Sequence, residues 1–172
     1  AILQLLVDDA RVDVNLCLDD TVLTDAVQYG CLNSLKVLLE CERVDVNLID
    51  LEDLDSAGLP ICVAAMDGKL EALRLLMQCP RVDINLFSDG TADRFAFGWA
   101  CSEGHVAVVQ EFLQDPRTNV NGTDDVGRTG LHLAAREGKE DVVKAILSSD
   151  RVDPGIRDKS GRTPFEVAML GE

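Results

Sequence analysis

The sequence predicts an all-α fold, a solenoid of stacked antiparallel helix pairs, and three observations carry that expectation. A five-residue segment returns five times: Arg11-Val-Asp-Val-Asn15, Arg43-Val-Asp-Val-Asn47, Arg81-Val-Asp-Ile-Asn85, Arg117-Thr-Asn-Val-Asn121 and Arg151-Val-Asp-Pro-Gly155. A second series, Thr21, Leu59, Phe95, Thr129 and Thr163, has its first four members each 22 residues before the next Arg, whereas the stretch from each Arg to the next member varies from 10 to 16. A fixed block alternating with a variable connector describes a packed unit joined by loops that lengthen without disturbing the stack. Within the block, the fifth residue after the series position is always alanine: Ala26, Ala64, Ala100, Ala134 and Ala168.

Each element follows from this register. A small residue lets helices approach closely, so the alanines mark the packed side of a first helix of about two turns. Four residues beyond come Gly30, Gly68, Gly104 and Gly138, where that helix ends and the chain reverses. The second half of each block carries apolar residues at helical spacing: Leu35, Leu38 and Leu39; Leu73, Leu76 and Met77; Val109, Phe112 and Leu113; Val143, Ile146 and Leu147. This predicts a second helix with one buried face. Little sheet is expected. The chain reads as one stack over residues 1–172, with repeats near 19–54, 55–91, 92–125 and 126–158 and partial repeats at 1–18 and 159–172. Ile2–Val7 already reads as part of a helix, and residues 163–172 break off similarly, so the expectation is a piece of a longer protein.

These residues resemble the ankyrin repeat family, whose repeat runs approximately G-x-T-P-L-H-x-A-A-x-x-G-H before a leucine-rich helix and a final Asn. The best match is Gly127-Arg-Thr-Gly-Leu-His-Leu-Ala-Ala-Arg-Glu-Gly138, followed by Gly161-Arg-Thr-Pro-Phe165. Earlier copies depart from it: Thr21-Val-Leu-Thr, Leu59-Pro-Ile-Cys and Phe95-Ala-Phe-Gly stand in place of Thr-Pro-Leu-His, and the Gly-His pair is kept at Gly104-His105 alone. The resemblance implies an ankyrin solenoid with β-hairpin-like connecting loops, whose fingers and first helices line a concave groove that binds a protein partner.

Composition narrows the function classes. The hydrophobic content of 47% and charged content of 27% fit a folded chain. The longest apolar stretches, such as Ile61–Met66, fall far short of the ~20 residues that cross a bilayer, and no charged-then-apolar leader opens the chain. Membrane insertion is not expected, and a cytoplasmic, intracellular setting is. A net charge of −15 disfavours nucleic-acid phosphates and anionic membranes and favours a basic protein partner. The six cysteines, Cys17, Cys31, Cys41, Cys62, Cys79 and Cys101, lie in apolar helical patterns without paired spacing and read as reduced. No C-x-x-C pair supplies a zinc cage. No cofactor or metal is implied.

Candidate chemistry is sparse. The two histidines, His105 and His132, fall in different blocks at motif positions and read as ties for their own turns rather than as a converging catalytic pair. Cys101 and His105 share a helical face, but two ligands do not complete a metal site, and Cys101 holds the small-residue position of Ala65 and Ala135. Trp99 aligns with Val63 and Leu133 and is assigned mainly to the core between repeats, with a partner anchor as the lesser reading. Asp25, at the same aligned position, either tilts into solvent or hydrogen-bonds locally. The Arg ladder reads as structural, at the loop bases. The acidic cluster Asp50, Glu52, Asp53 and Asp55 lacks the mid-loop Gly and closing Glu of a calcium loop and reads as a solvated acidic finger.

The sequence therefore predicts a binding module and not an enzyme, with a structural spacer, or packing against other domains of the same chain, as the alternative. The partner surface is expected where two poor packing residues precede each turn Gly: Gln28 and Tyr29, Met66 and Asp67, Ser102 and Glu103, Arg136 and Glu137. Connector residues Asp20, Asp55, Arg94 and Arg128 join them, and Tyr29 and Met66 are expected to anchor. The family resemblance also implies a modification candidate, Asn47. Leu39, Asp45 and Val46 give it the spacing favoured by the intracellular asparaginyl hydroxylase, whereas Met77 and Asn119 depart from that pattern at the later copies, Asn85 and Asn121.

Overall fold

A computed structural model describes residues 2–15, 21–48, 58–87 and 95–170. Among these are ten short helices: α1 (Ile2–Asp8), α2 (Val22–Gln28), α3 (Leu32–Glu40), α4 (Pro60–Met66), α5 (Leu70–Gln78), α6 (Ala96–Glu103), α7 (Val106–Gln114), α8 (Gly130–Arg136), α9 (Glu140–Leu147) and α10 (Pro164–Leu170). They form two layers. The inner layer stacks α2, α4, α6, α8 and α10 in order, and the outer layer stacks α1, α3, α5, α7 and α9. Single strand-like bridges join Phe87 to Phe95 and Thr123 to Thr129, at the bases of two fingers.

The repeat register has a local cause. Each inner helix starts immediately after a series residue, and Thr21, Leu59, Phe95 and Thr129 are the N-caps. Each ends at its turn glycine, which adopts a left-handed φ of 67° at Gly30, 67° at Gly68, 90° at Gly104 and 64° at Gly138. The next residue then donates its N–H to the block's alanine carbonyl: Cys31 to Ala26, Lys69 to Ala64, His105 to Ala100 and Lys139 to Ala134, at 2.8 to 3.0 Å. This six-to-one bond closes the helix end. The alanines are buried against neighbouring inner helices, as their size requires.

The core runs continuously between the layers, through Leu23, Val27, Leu35, Ile61, Leu73, Leu76, Phe97, Phe112, Leu131 and Ile146. No helix pair buries its apolar stripe alone, so stability is shared between neighbours. Leu147 departs from expectation and is exposed. It lies on the last outer helix described, with no further outer helix beside it among the described residues.

Candidate protein-interaction surface

Two ladders hold the repeats in register. Arg43 donates to the carbonyls of Val7, Asp9 and Val12. Arg81 takes the equivalent carbonyls of Leu39, Cys41 and Val44 at 2.7 to 3.0 Å. Arg151 takes those of Leu113, Asp115 and Thr118 at 2.5 to 2.9 Å, and Arg117 reaches Met77 at 2.5 Å. Each guanidinium thus caps the carbonyl end of the preceding outer helix, where the helix dipole favours a cation. Beside this, Asn15, Asn47, Asn85 and Asn121 each donate through Nδ2 to the carbonyl of the next ladder Arg, at 2.8 to 2.9 Å. Their Oδ1 atoms accept from Asp45, Asp83, Asn119 and Asp153 N–H groups at 2.8 to 2.9 Å. Asn47, the modification candidate, is therefore engaged at both amide atoms by the following repeat.

The histidines are structural ties. The His132 ring is fully buried; its Nδ1 accepts from the Thr129 N–H at 3.1 Å, so Nε2 carries the proton and donates to the Arg162 carbonyl at 3.0 Å. His105 bonds the Met66 carbonyl at 2.8 Å and lies over Gly68, where a Cβ would sit 2.7 Å from its Nδ1. Two fingers carry a further device that the sequence reading missed. In Asp124–Thr129, Asp124 Oδ1 accepts from the Val126 and Arg128 N–H groups, while Oδ2 takes Arg128 Nε at 2.7 Å. Asp158–Thr163 repeats the arrangement with Ser160 and Arg162. The signal was present as a duplicated Asp-x-x-Gly-Arg-Thr, 34 residues apart. These bonds hold the Asp158 carboxyl below the usual carboxylate range.

Reactive groups do not converge. Cys31, Cys41, Cys62, Cys79 and Cys101 are free thiols. Burial pushes the Cys62 thiol up to about 12 and raises that of Cys101 too, which keeps both protonated and unreactive. Among the described residues, no group of three or more His, Cys, Asp or Glu side chains is placed to hold a metal ion. No described helix is long and apolar enough to cross a membrane.

The expected partner residues divide. Gln28, Tyr29, Asp67, Glu103, Arg136 and Glu137 are exposed along one edge of the inner layer, and Tyr29 is 75% exposed. Met66 is half-buried against the core. Ser102 corrects the expectation of an outward side chain, being only 4% exposed. Its helix packs between α4 and α8, and its hydroxyl bonds back to the Trp99 carbonyl at 3.1 Å, so it needs no water. Arg128 is half-buried and held by Asp124. Arg136 and Glu137 pair with each other at 2.6 Å. Asp20, Asp55 and Arg94, with the cluster of Asp50, Glu52 and Asp53, lie outside the described residues, as does Cys17. Trp99 is half-buried against the core, and Asp25 is exposed, with no inner helix before α2 among the described residues.

A sequence model described as ankyrin repeats (3 copies) matches residues 61–158, more than half of the chain, and the chain belongs to the ankyrin repeat family. It is similar to neurogenic locus notch homolog protein 1 of Homo sapiens, 40% identical over 66 residues, which is 38% of this chain and 2% of that protein. It also resembles the ankyrin repeat protein YahD of Escherichia coli K12, 36% identical over 73 residues, covering 40% of this chain and 36% of the relative. The tyrosine-protein kinase HTK16 of Hydra vulgaris is 37% identical over 73 residues, or 41% of this chain and 10% of the kinase. The chain spans a minor part of each of these relatives. Ankyrin repeats as a class are non-catalytic protein-interaction modules.

Proposed function

We propose that this chain is a binding module that engages a protein partner through the concave side of its stack, where the inner-helix ends and fingers meet. The observation that carries the reading is the row of exposed residues at successive inner-helix ends: Gln28 and Tyr29, Asp67, Glu103, then Arg136 and Glu137. They vary in chemistry while the ladders behind them repeat, so partner selection and fold maintenance are assigned to different side chains. Tyr29 is the anchor in this reading, an exposed aromatic at the rim of an apolar groove lined by Leu3, Leu6, Val22 and Ala26. Met66 contributes its exposed portion, and Arg128, tethered to Asp124, presents a fixed charge; Asp20, Asp55 and Arg94, outside the described residues, complete the proposed set. The net charge of −15 suits a basic partner segment, in an intracellular setting.

The test is crosslinked pull-down with the wild-type chain, a Tyr29→Ala variant, and an Asp67→Lys/Glu103→Lys variant. The proposal expects recovery of a specific partner to fall about tenfold in each, since interface anchors cost about 1–2 kcal/mol or more on truncation. Equal recovery by all three refutes it. Modification of Asn47 remains a proposal drawn from the family resemblance. Because both amide atoms are occupied, it requires the joint to Arg81 and Asp83 to open first. No oxygen-mass addition on the Asn47 peptide after incubation with the hydroxylase, iron and 2-oxoglutarate dismisses it.

A further inference from the structure

The four asparagines of the ladder make the same tie, but they are not followed by the same residue. Asn15, Asn47 and Asn85 precede Leu16, Leu48 and Leu86, whereas Asn121 precedes Gly122, in the one Asn-Gly pair of the chain. At all four, Nδ2 donates to the carbonyl of the next ladder Arg and Oδ1 accepts from the N–H two residues beyond that Arg, at 2.8 to 2.9 Å. The turn that follows is shared as well: the Leu86 N–H donates to the Asp83 carbonyl at 3.4 Å, and the Gly122 N–H donates to the Asn119 carbonyl at 3.1 Å. What differs at Asn121 is the missing side chain on the next residue.

That difference is chemical. The main-chain nitrogen after an asparagine reaches the side-chain amide carbon by closing a five-membered ring. A side chain on the following residue crowds this nitrogen and narrows the backbone angles that permit closure, and glycine does neither. Leu86 is held further by packing against the core. At Asn121, closure requires the release of three hydrogen bonds, two at its amide and one from the Gly122 N–H. All three lie in a connector, where local opening costs less than unfolding the stack.

We infer that Asn121 is a site of spontaneous deamidation, the labile rung of the ladder, with water as co-reactant. Gly122 N forms a bond to Asn121 Cγ, the Cγ–Nδ2 bond breaks, and ammonia leaves with the proton that Gly122 N gives up. Water then opens the cyclic imide at either carbonyl, leaving aspartate in one case and isoaspartate in the other. The product cannot remake the tie. An oxygen without a proton stands where Nδ2 donated to the Arg151 carbonyl, so two acceptors face each other. Isoaspartate also adds a methylene to the main chain three residues before Asp124, whose carboxylate organises the next finger. The change is one-way, and an ageing chain loosens first between the connectors that begin at Asn121 and Arg151. This chemistry needs no partner and stands apart from the binding role.

The test is to hold the folded 172-residue chain in mildly alkaline buffer and map its peptides by mass spectrometry over time. Conversion at Asn121, read as the mass gain of an amide becoming an acid and as two chromatographic products, is expected to run at least about tenfold faster than at Asn47 or Asn85. A Gly122→Leu variant, carrying the residue of the other three copies, is compared with the wild type in urea, where its fold does not matter. It is expected to convert at the rate of the other asparagines. In an Asn121→Asp variant, amide hydrogen exchange at Asp153 is expected to quicken about tenfold, as for one lost hydrogen bond, while Asp83 is unchanged. No excess conversion at Asn121 in the folded chain, a Gly122→Leu variant that converts as fast as the wild type, or wild-type exchange at Asp153 in the Asn121→Asp variant overturns the inference.

Discussion

The third and fourth blocks solve one structural problem with different chemistry. In the fourth, Thr129 and His132 form a reciprocal cap at the start of α8, and His132 continues to the Arg162 carbonyl of the next finger. In the third, Phe95 stands in the cap position without a side-chain cap, and Gly98 stands where the histidine would be. An aromatic chain replaces the polar one. Phe87 meets Phe95 at 5.8 Å, Phe95 meets Phe97 at 6.4 Å, and Phe97 meets Phe112 at 6.0 Å, joining finger, inner helix and outer helix. The backbone register tolerates either solution because both fill the space between neighbouring inner helices: one by satisfying buried polar groups, the other by burying large rings.

The largest way to break the comparison is Phe97→Ala. Phe97 is fully buried at the centre of the aromatic chain, and its removal is expected to cost about 3–5 kcal/mol in urea unfolding. A loss below 1 kcal/mol, an order-of-magnitude threshold, shows that the third block does not depend on its rings. Next is His132→Ala, which strands the Thr129 N–H and the Arg162 carbonyl. About 2–3 kcal/mol is expected, measured in the same way, and an unchanged midpoint argues against the polar tie.

The two solutions also interlock at their border. Pro60 and Pro164 open α4 and α10, so the family pattern alone favours Gly130→Pro as a stabilising change. A Cβ at Gly130 would instead lie 2.8 Å from both Cys101 Sγ and Phe97 Cε1. The variant is therefore expected to lose about 1–3 kcal/mol by thermal melting, and a Phe97→Leu background is expected to recover part of that loss. A gain in stability shows that the aromatic block does not press on its neighbour.

The smallest effect separates the blocks by pH. The Asp158 carboxyl is held below 3.8, first by the Arg162 N–H and then by the Arg162 side chain and the Ser160 N–H. The unfolded chain therefore takes up its proton more readily, and the associated stability, present above pH 4 or so, is lost as pH falls through the folded value. Melts at neutral pH and near pH 3 should show a smaller acid-induced drop for Asp158→Asn than for the wild type. Identical drops remove Asp158 from the account.

Much of this was legible beforehand. The 22-residue spacing placed all four N-caps, and the glycines placed all four turns, because local backbone geometry sets both. The outward surface was only partly legible. The reading that places Ser102 outside rests on its being one of two poor packing residues before a turn Gly, but a hydroxyl satisfied within its own helix carries no penalty for burial. Leu147 was expected inside because its helical spacing matches Leu39, yet periodicity names a face and not whether a neighbour covers it.

The sequence by itself determined the repeat register and the helix and turn positions, since each rests on interactions between residues a few positions apart, and it marked the alanines as the positions where small size lets helices approach. The tertiary structure alone decided which carbonyls the Arg ladder clasps, that each Asn ties into the following repeat, and that four phenylalanines replace a polar cap. The ladder contacts join residues 28 to 42 positions apart. The variable connectors hide such pairings from any fixed spacing, and only the stacked layers bring them within bonding distance.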